Sequence, residues 1–321
     1  MTLKKKQWSD DILDSLEISK DKLAKPVPSC TIVGEISKKL ADELGINQHA
    51  KLVSGGHDQT CASLGAGIVR EGMALDSHGT AEVLSTVFSR VRLNNEMYSS
   101  YYPCYCSLIN GLMFSFALNH TGGILLKWFA EEFCGDDNNS EECQKKGIYQ
   151  YLFDNMKEEP SNLLVLPYFN GSGTPTCDLT QKGAILGLRL TTNRFDVAKA
   201  IIESLSFETR LNIDAMEKAG IEIQQLRSVG GGARNPIGLQ NKADILGIPV
   251  SSLKTREAAC LGAAFAAGIA IQVYSSAEEA TSVVQIEKTY YPNESKLAYY
   301  NDKYEIYKTL YPTIKDISSK L

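Results

Sequence analysis

The chain has 321 residues, 43% of them apolar, and a formal charge of −5. That is enough to bury a sizeable core in one large domain or two smaller ones, and it excludes the concentrated basic surface that nucleic acid or an anionic membrane requires. No apolar run reaches the roughly 18 residues of a membrane-spanning helix, and the basic start, residues 1–7, leads into the acidic Asp10-Asp11 rather than an apolar core, so a signal peptide is not expected and a cytoplasmic location is.

Residues 1–25 are polar and rich in Lys and Asp, with Trp8 the only large aromatic; they predict a solvated helix or linker ending near Pro26-Val27-Pro28. Over 35–44, Ile36, Leu40 and Leu44 share a helical face, with Gly45 at the capping position, and 51–54 predicts a short strand running into Gly55-Gly56. After Asp58 come a small-residue helix, a strand pair over 73–88, aromatic strands over 98–118 and a helix over 123–133. The acidic segment 132–159 predicts a surface excursion, and 163–168 a buried strand that ends in a turn-rich stretch over 170–175. A helix over 195–211 carries Ala198, Ile201, Ile202 and Leu205 on one stripe and is capped by Thr192 or Asn193. Then follow a strand over 226–229, the turn Gly230-Gly231-Gly232 and a helix over 235–246. An alanine- and glycine-rich helix over 257–271 should pack closely against a neighbour, and Tyr304, Tyr307, Leu310, Tyr311 and Ile314 predict a final amphipathic helix, bent at Pro312. The fold class is α/β. Eight cysteines are scattered; Cys104 and Cys106 form a C-x-C without a second pair or spaced histidines, which reads as reduced thiols and not as a metal site.

Four clusters hold the glycines and small polar residues that let backbone N–H groups approach a phosphate or nucleotide: Gly55-Gly56-His57-Asp58-Gln59, Ser77-His78-Gly79-Thr80, Thr121-Gly122-Gly123 and Gly230-Gly231-Gly232-Ala233-Arg234-Asn235. Each alone is also what a tight bend or a helix cap looks like. Asp58 follows a strand and a Gly-Gly bend and opens a helix, where the dipole keeps a carboxylate charged. It is either an N-terminal cap or a general base that accepts a hydroxyl proton in phosphoryl transfer.

The order of these clusters resembles the FGGY family of carbohydrate kinases. The carrying residues are Leu52 to Gln59, Gly65-Ala66-Gly67, Gly72, Gly79-Thr80-Ala81-Glu82, Leu166 to Gly171, Thr174-Pro175, Gly183 to Leu188, Asp196-Val197, Ala200 to Glu203, Gly230 to Arg234, Ala243 to Val250 and Glu257 to Ala264. The resemblance implies an actin-like, ribonuclease H-like ATPase fold with ATP between two lobes, Mg²⁺ as its companion, and a ketose or polyol hydroxyl as the phosphoryl acceptor. Carried over by position, Asp58 is the catalytic base and Gly79 and Thr80 form a phosphate loop. Gly123 borders the nucleotide, and Gly231, Gly232, Ala233 and Asn235 receive the adenosine. His57 and Gln59, beside Asp58, are candidate substrate contacts, and no protein-held metal site is expected.

The family's opening Asp-x-Gly-Thr loop is not found before Pro26. The expectation is therefore a nearly complete carboxy-terminal lobe over 55–321, with 1–54 a remnant of an amino-terminal lobe that is mostly missing, as in a truncated form, a split-gene product or a remnant. A cleft left open in this way would favour pairing with a separate amino-terminal-lobe polypeptide or a homo-oligomer and would leave the chain alone inactive. Two readings compete with a kinase half: an inactive nucleotide-binding partner or regulatory subunit, and an actin-like ATPase that shares only the fold.

Overall fold

The computed structural model describes residues 2–135, 137 and 140–321; Met1 of the polar start, and Asp136, Asn138 and Asn139 of the acidic segment, lie outside them. The polar start holds a short helix, α1 (Asp10–Ser15), and is largely exposed. Beyond it, β1 (Ile32–Glu35) pairs antiparallel with β2 (Lys51–Val53) around α2 (Lys38–Leu44). Helix α2 begins later than its apolar spacing suggests because the Ser37 side chain accepts the Leu40 amide, and it ends on Gly45 at φ +65° as expected.

The centre is a seven-stranded mixed sheet. Its middle comprises α3 (Asp58–Gly65), then β3 (Gly72–His78), β4 (Glu82–Phe88), α4 (Asn95–Ser99), β5 (Tyr105–Cys106), β6 (Met113–Asn119) and α5 (Gly123–Phe133). Tyr98, expected in a strand, lies in α4, whose Asn94 cap accepts the Met97 amide. The segment that follows forms α6 (Glu141–Lys146) and α7 (Ile148–Asp154), and β7 (Leu164–Leu166) pairs with β8 (Ala184–Leu186).

Helix α8 (Arg194–Lys218) is longer than its stripe indicated and starts in a capping box between Asn193 and Asp196. It leads into β9 (Ile223–Gly230), α9 (Pro236–Leu246), β10 (Val250–Leu253), α10 (Ala258–Ala270), α11 (Ala277–Thr281), β11 (Ile286–Tyr290) and α12 (Glu294–Ser318). Helix α12 runs through Pro312, where a bend was expected. The strands lie in the order β11-β10-β9-β3-β4-β6-β5; β3, β9 and β10 are parallel, and the other neighbours are antiparallel.

The period of two in β3 divides the core between the two faces. Ala74 joins Leu226, Leu239, Ala243 and Met216 beneath α8 and α9, whereas Met73 and Leu75 join Ala62, Ala66 and Ala258 beneath α3 and α10. The glycine-rich helix packs as closely as its sequence suggested. A Cβ on Gly65 would stand 1.9 Å from the Ala258 carbonyl oxygen, and one on Gly262 would stand 1.8 Å from that of Cys61, so α3 and α10 touch backbone to backbone. Among the described residues no helix is long and apolar enough to cross a membrane.

Candidate functional site

Register brings the polar residues of β3 and β4 together. His78 pairs with Glu82 across the two strands, while Asp76 and His78 lie beside Ser228 and Gly230 of β9. The side chains of Asp76, His78, Glu82 and Ser228 therefore share the face that α8 and α9 cover. Between the strands, the loop at Gly79 and Thr80 is tied to the start of α5: the Gly123 amide donates to the Gly79 carbonyl and the Gly122 amide to the Thr80 carbonyl, both at 2.9 Å. The glycine turn closes from the other side. Gly230 sits at φ +90°, and a Cβ on Gly232 would lie 2.3 Å from the His78 ring, so only glycine lets the turn rest on His78.

These loops border one cleft of about 500 Å³, with Gly79, Gly123, Gly231, Gly232 and Asn235 in its wall. Of the residues singled out in the sequence, these five converge. Thr80 is exposed beside Gly79. Ala233 instead lines a neighbouring cavity of about 500 Å³ with Lys254 and Arg256. Asn235 has a structural duty as well: its side chain accepts the Ile237 amide at 3.1 Å and caps α9.

His57, Asp58 and Gln59 sit elsewhere. They open α3, on the opposite face of the sheet from α8 and α9. The Gln59 amide donates to Asp58 Oδ1 at 2.6 Å, His57 Nδ1 stands 3.0 Å from the same oxygen, and the His57 ring stacks on Phe116 with centroids 6.1 Å apart. The Asp58 side chain is 73% exposed. His57 borders a second cavity, of about 470 Å³, together with Gly56, Thr60 and Leu108; Asp58 and Gln59 line neither it nor the cleft.

Two features of the cleft were missed in the sequence. One wall comes from the segment expected to be a surface excursion, through Lys146, Tyr149, Gln150 and Phe153 of α6 and α7. On the other side, Lys242 of α9 lies 3% exposed, with its Nζ 2.7 Å from Asp76 Oδ2 and in contact with Glu82 Oε1. Ser228 Oγ donates to Asp76 at 2.7 Å and Thr209 Oγ1 to Glu82 at 3.1 Å. Burial is the largest influence on Asp76 and works against its charge, but the Lys242 ammonium together with the smaller contributions of its other neighbours outweighs it and holds the carboxyl at about 2. For Glu82, burial reinforced by the Asp76 charge prevails over Lys242 and raises the carboxyl above the usual glutamate range. Asp76, His78 and Glu82 have the donor atoms of a metal site. The buried ammonium already supplies the cation there, so the cluster does not suit a divalent ion.

The comparisons agree with this architecture. The sequence model of the carboxy-terminal domain of the FGGY family of carbohydrate kinases matches residues 78–271. This chain belongs to that family. The model of the family's amino-terminal domain matches residues 1–65, so both domains are represented, and the expectation of a mostly missing lobe is not supported. The chain is 27% identical over 317 residues to a xylulose kinase of Staphylococcus epidermidis, covering 98% of this chain and 62% of that protein. It is 30% identical over 303 residues to a glycerol kinase of Desulfitobacterium hafniense, covering 91% and 58%. In fold it superposes on a ligand-bound xylulose kinase of Lactobacillus acidophilus with a TM-score of 0.86 at 21% identity, over 98% of this chain and 62% of that one. The FGGY chain thus spans 62% of the length of the first of these curated relatives. The α/β, actin-like expectation for the fold is met.

Proposed function

We propose that this FGGY chain takes part in ATP-dependent phosphorylation of a hydroxyl on a small ketose or polyol, with the nucleotide in the cleft between the phosphate loop and the glycine turn. The observation that carries the reading is the convergence of two side-chain-free backbones, at Gly79 and at Gly231-Gly232, on one cleft beside the start of α5. Phosphoryl transfer needs positioning and charge neutralisation more than covalent chemistry, and exposed backbone amides supply both. The relatives' names, xylulose kinase and glycerol kinase, favour a ketose or polyol acceptor.

In this reading Gly79 and Thr80 hold the phosphates, and Gly123, Gly231, Gly232 and Asn235 surround the nucleoside, whereas Ala233, which lines the neighbouring cavity, does not. Asp58 takes the proton of the acceptor hydroxyl, assisted by His57 and Gln59 at the sugar. Exposure suits a base that must meet an incoming hydroxyl: Asp58 Oδ1 is held by the Gln59 amide, and the rest of the carboxylate faces solvent. A Mg²⁺ is expected to arrive with the nucleotide, bound to its phosphates. That ion would neutralise phosphate charge and orient the transferring group.

The test is nucleotide binding followed by turnover. Calorimetry on the wild-type chain should detect ATP, and Gly232→Val should weaken it at least tenfold, since the new side chain must displace His78 from beneath the turn. A coupled assay over a panel of ketoses and polyols then identifies the acceptor by its ADP release. A folded Gly232→Val chain with wild-type ATP affinity would refute the placement of the nucleoside.

A further inference from the structure

The phosphate loop and the glycine turn belong to different parts of the chain, yet a nucleotide must touch both at once. What joins them lies beneath the cleft. Asp76 stands just before the loop, at the end of β3, and Glu82 just after it, at the start of β4. The ammonium of Lys242 bonds both carboxylates, and its own helix, α9, starts directly after the turn, capped by Asn235. Ser228 on β9 secures Asp76, and Thr209 on α8 secures Glu82.

This cluster is a poor way to gain stability. Three ionisable groups are withdrawn from water, and Asp76 Oδ1 and Glu82 Oε2 have no hydrogen-bond donor. Well-packed apolar side chains would serve a core position as well or better. Buried ionic groups have one further use, which is to select a single geometry over near alternatives, and here the geometry selected is that of the loop's two stems relative to the turn.

We propose that Lys242 is a positioning residue that locks the phosphate loop to the glycine turn, so that the phosphates of a nucleotide add affinity to what the nucleoside alone provides. The proposal rests on the nucleotide reading of the cleft given above. Without the lock, adenosine still finds the turn, but the loop no longer stands where its phosphates arrive.

Two measurements on the chain test it. The first is the ratio of the dissociation constants of adenosine and ADP, determined by calorimetry for the wild type, for Lys242→Met, and for a charge-free chain with Asp76→Asn, Glu82→Gln and Lys242→Met together. The triple variant retains side-chain volume and leaves no unpaired buried charge, so it stays folded if the single variant does not. The wild type is expected to bind ADP at least about tenfold more tightly than adenosine. In the triple variant the ratio should fall to about one, with the adenosine constant changing less than threefold. The second is hydrogen exchange without any nucleotide: amides in 79–81 and 231–235 should exchange faster together in the triple variant, by about tenfold, while β10 and β11 keep their protection.

A folded triple variant that keeps the wild-type ratio overturns the proposal, as does faster exchange in only one of the two segments. If the wild-type chain binds neither adenosine nor ADP, the nucleotide reading falls and the proposal with it. A wild type that binds both equally overturns the proposal alone.

Discussion

Lys242 and Asp58 are both ionisable residues on opposite faces of the central sheet, and the protein treats them in opposite ways. Lys242 is 3% exposed and fixed between two carboxylates that are themselves buried. Asp58 is 73% exposed and held through one oxygen by its neighbour's amide. Burial makes a charge part of the scaffold, because moving it would leave its partners uncompensated in a medium that solvates them poorly. Exposure leaves a carboxylate free to exchange a proton with whatever arrives. The buried cluster therefore holds a shape, and the start of α3 leaves its carboxylate open to solvent, as the proposed role of Asp58 requires.

The comparison breaks most sharply if each charge is removed in turn. Asp58→Asn keeps the shape and removes the proposed base, so on the proposed reading turnover of the sugar or polyol should drop by about 10²- to 10⁴-fold, while the thermal midpoint moves by less than about 2 °C. More than about a tenth of wild-type turnover in the variant would show that another group takes the proton. Lys242→Met should behave in the reverse manner. It strands two buried carboxylates and is expected to cost about 3–5 kcal/mol of unfolding free energy in urea titrations. A cost below about 1 kcal/mol would mean that the cluster is solvated and that the contrast with Asp58 is false.

The two regions also differ in how legible they were. The glycine clusters could be read because glycine marks a backbone requirement that no other residue meets, and Gly79, Gly123, Gly231, Gly232 and Asn235 do border one cleft. Lys242 gave no such signal. A lysine in a helix is ordinarily solvated, and Asp76 and Glu82 become its partners only through the β3–β4 register and the packing of α9 on that face of the sheet. Tyr149 and Phe153 were hidden for a related reason: the acidic, polar composition of 132–159 suggested surface, whereas a few side chains turned inward are enough to wall a cleft. Tyr98 shows a local signal overlooked, since the Asn94 cap three residues before Met97 announces a short helix instead of a strand. The missing lobe was inferred from one absent loop motif, and the match of the amino-terminal-domain model to residues 1–65 does not support it.

The smallest effect should come from a buried acid near the cleft that has no cation. Glu208 of α8 is 1% exposed and accepts a hydrogen bond from Tyr307 Oη at 2.5 Å, and it neighbours Thr209, which bonds Glu82. Burial is the main cause that raises its carboxyl to about 7; the hydrogen bonds from Tyr307 and Tyr168 oppose the shift, and the Glu82 charge adds to it. Because the folded state holds the proton more tightly than the unfolded chain, the neutral acid's contribution is fully present below the ordinary glutamate value and fades as the pH rises through about 7. The difference between pH 5 and pH 8 amounts to about 2 kcal/mol for a shift of this size. Glu208→Gln preserves the side chain's shape and an oxygen that accepts from Tyr307, and it cannot ionise. Urea titrations at the two pH values should therefore show the wild type losing about 2 kcal/mol more than the variant. Equal losses would mean that the folded state does not raise the Glu208 carboxyl and that burial among the tyrosines leaves it as it is in the unfolded chain.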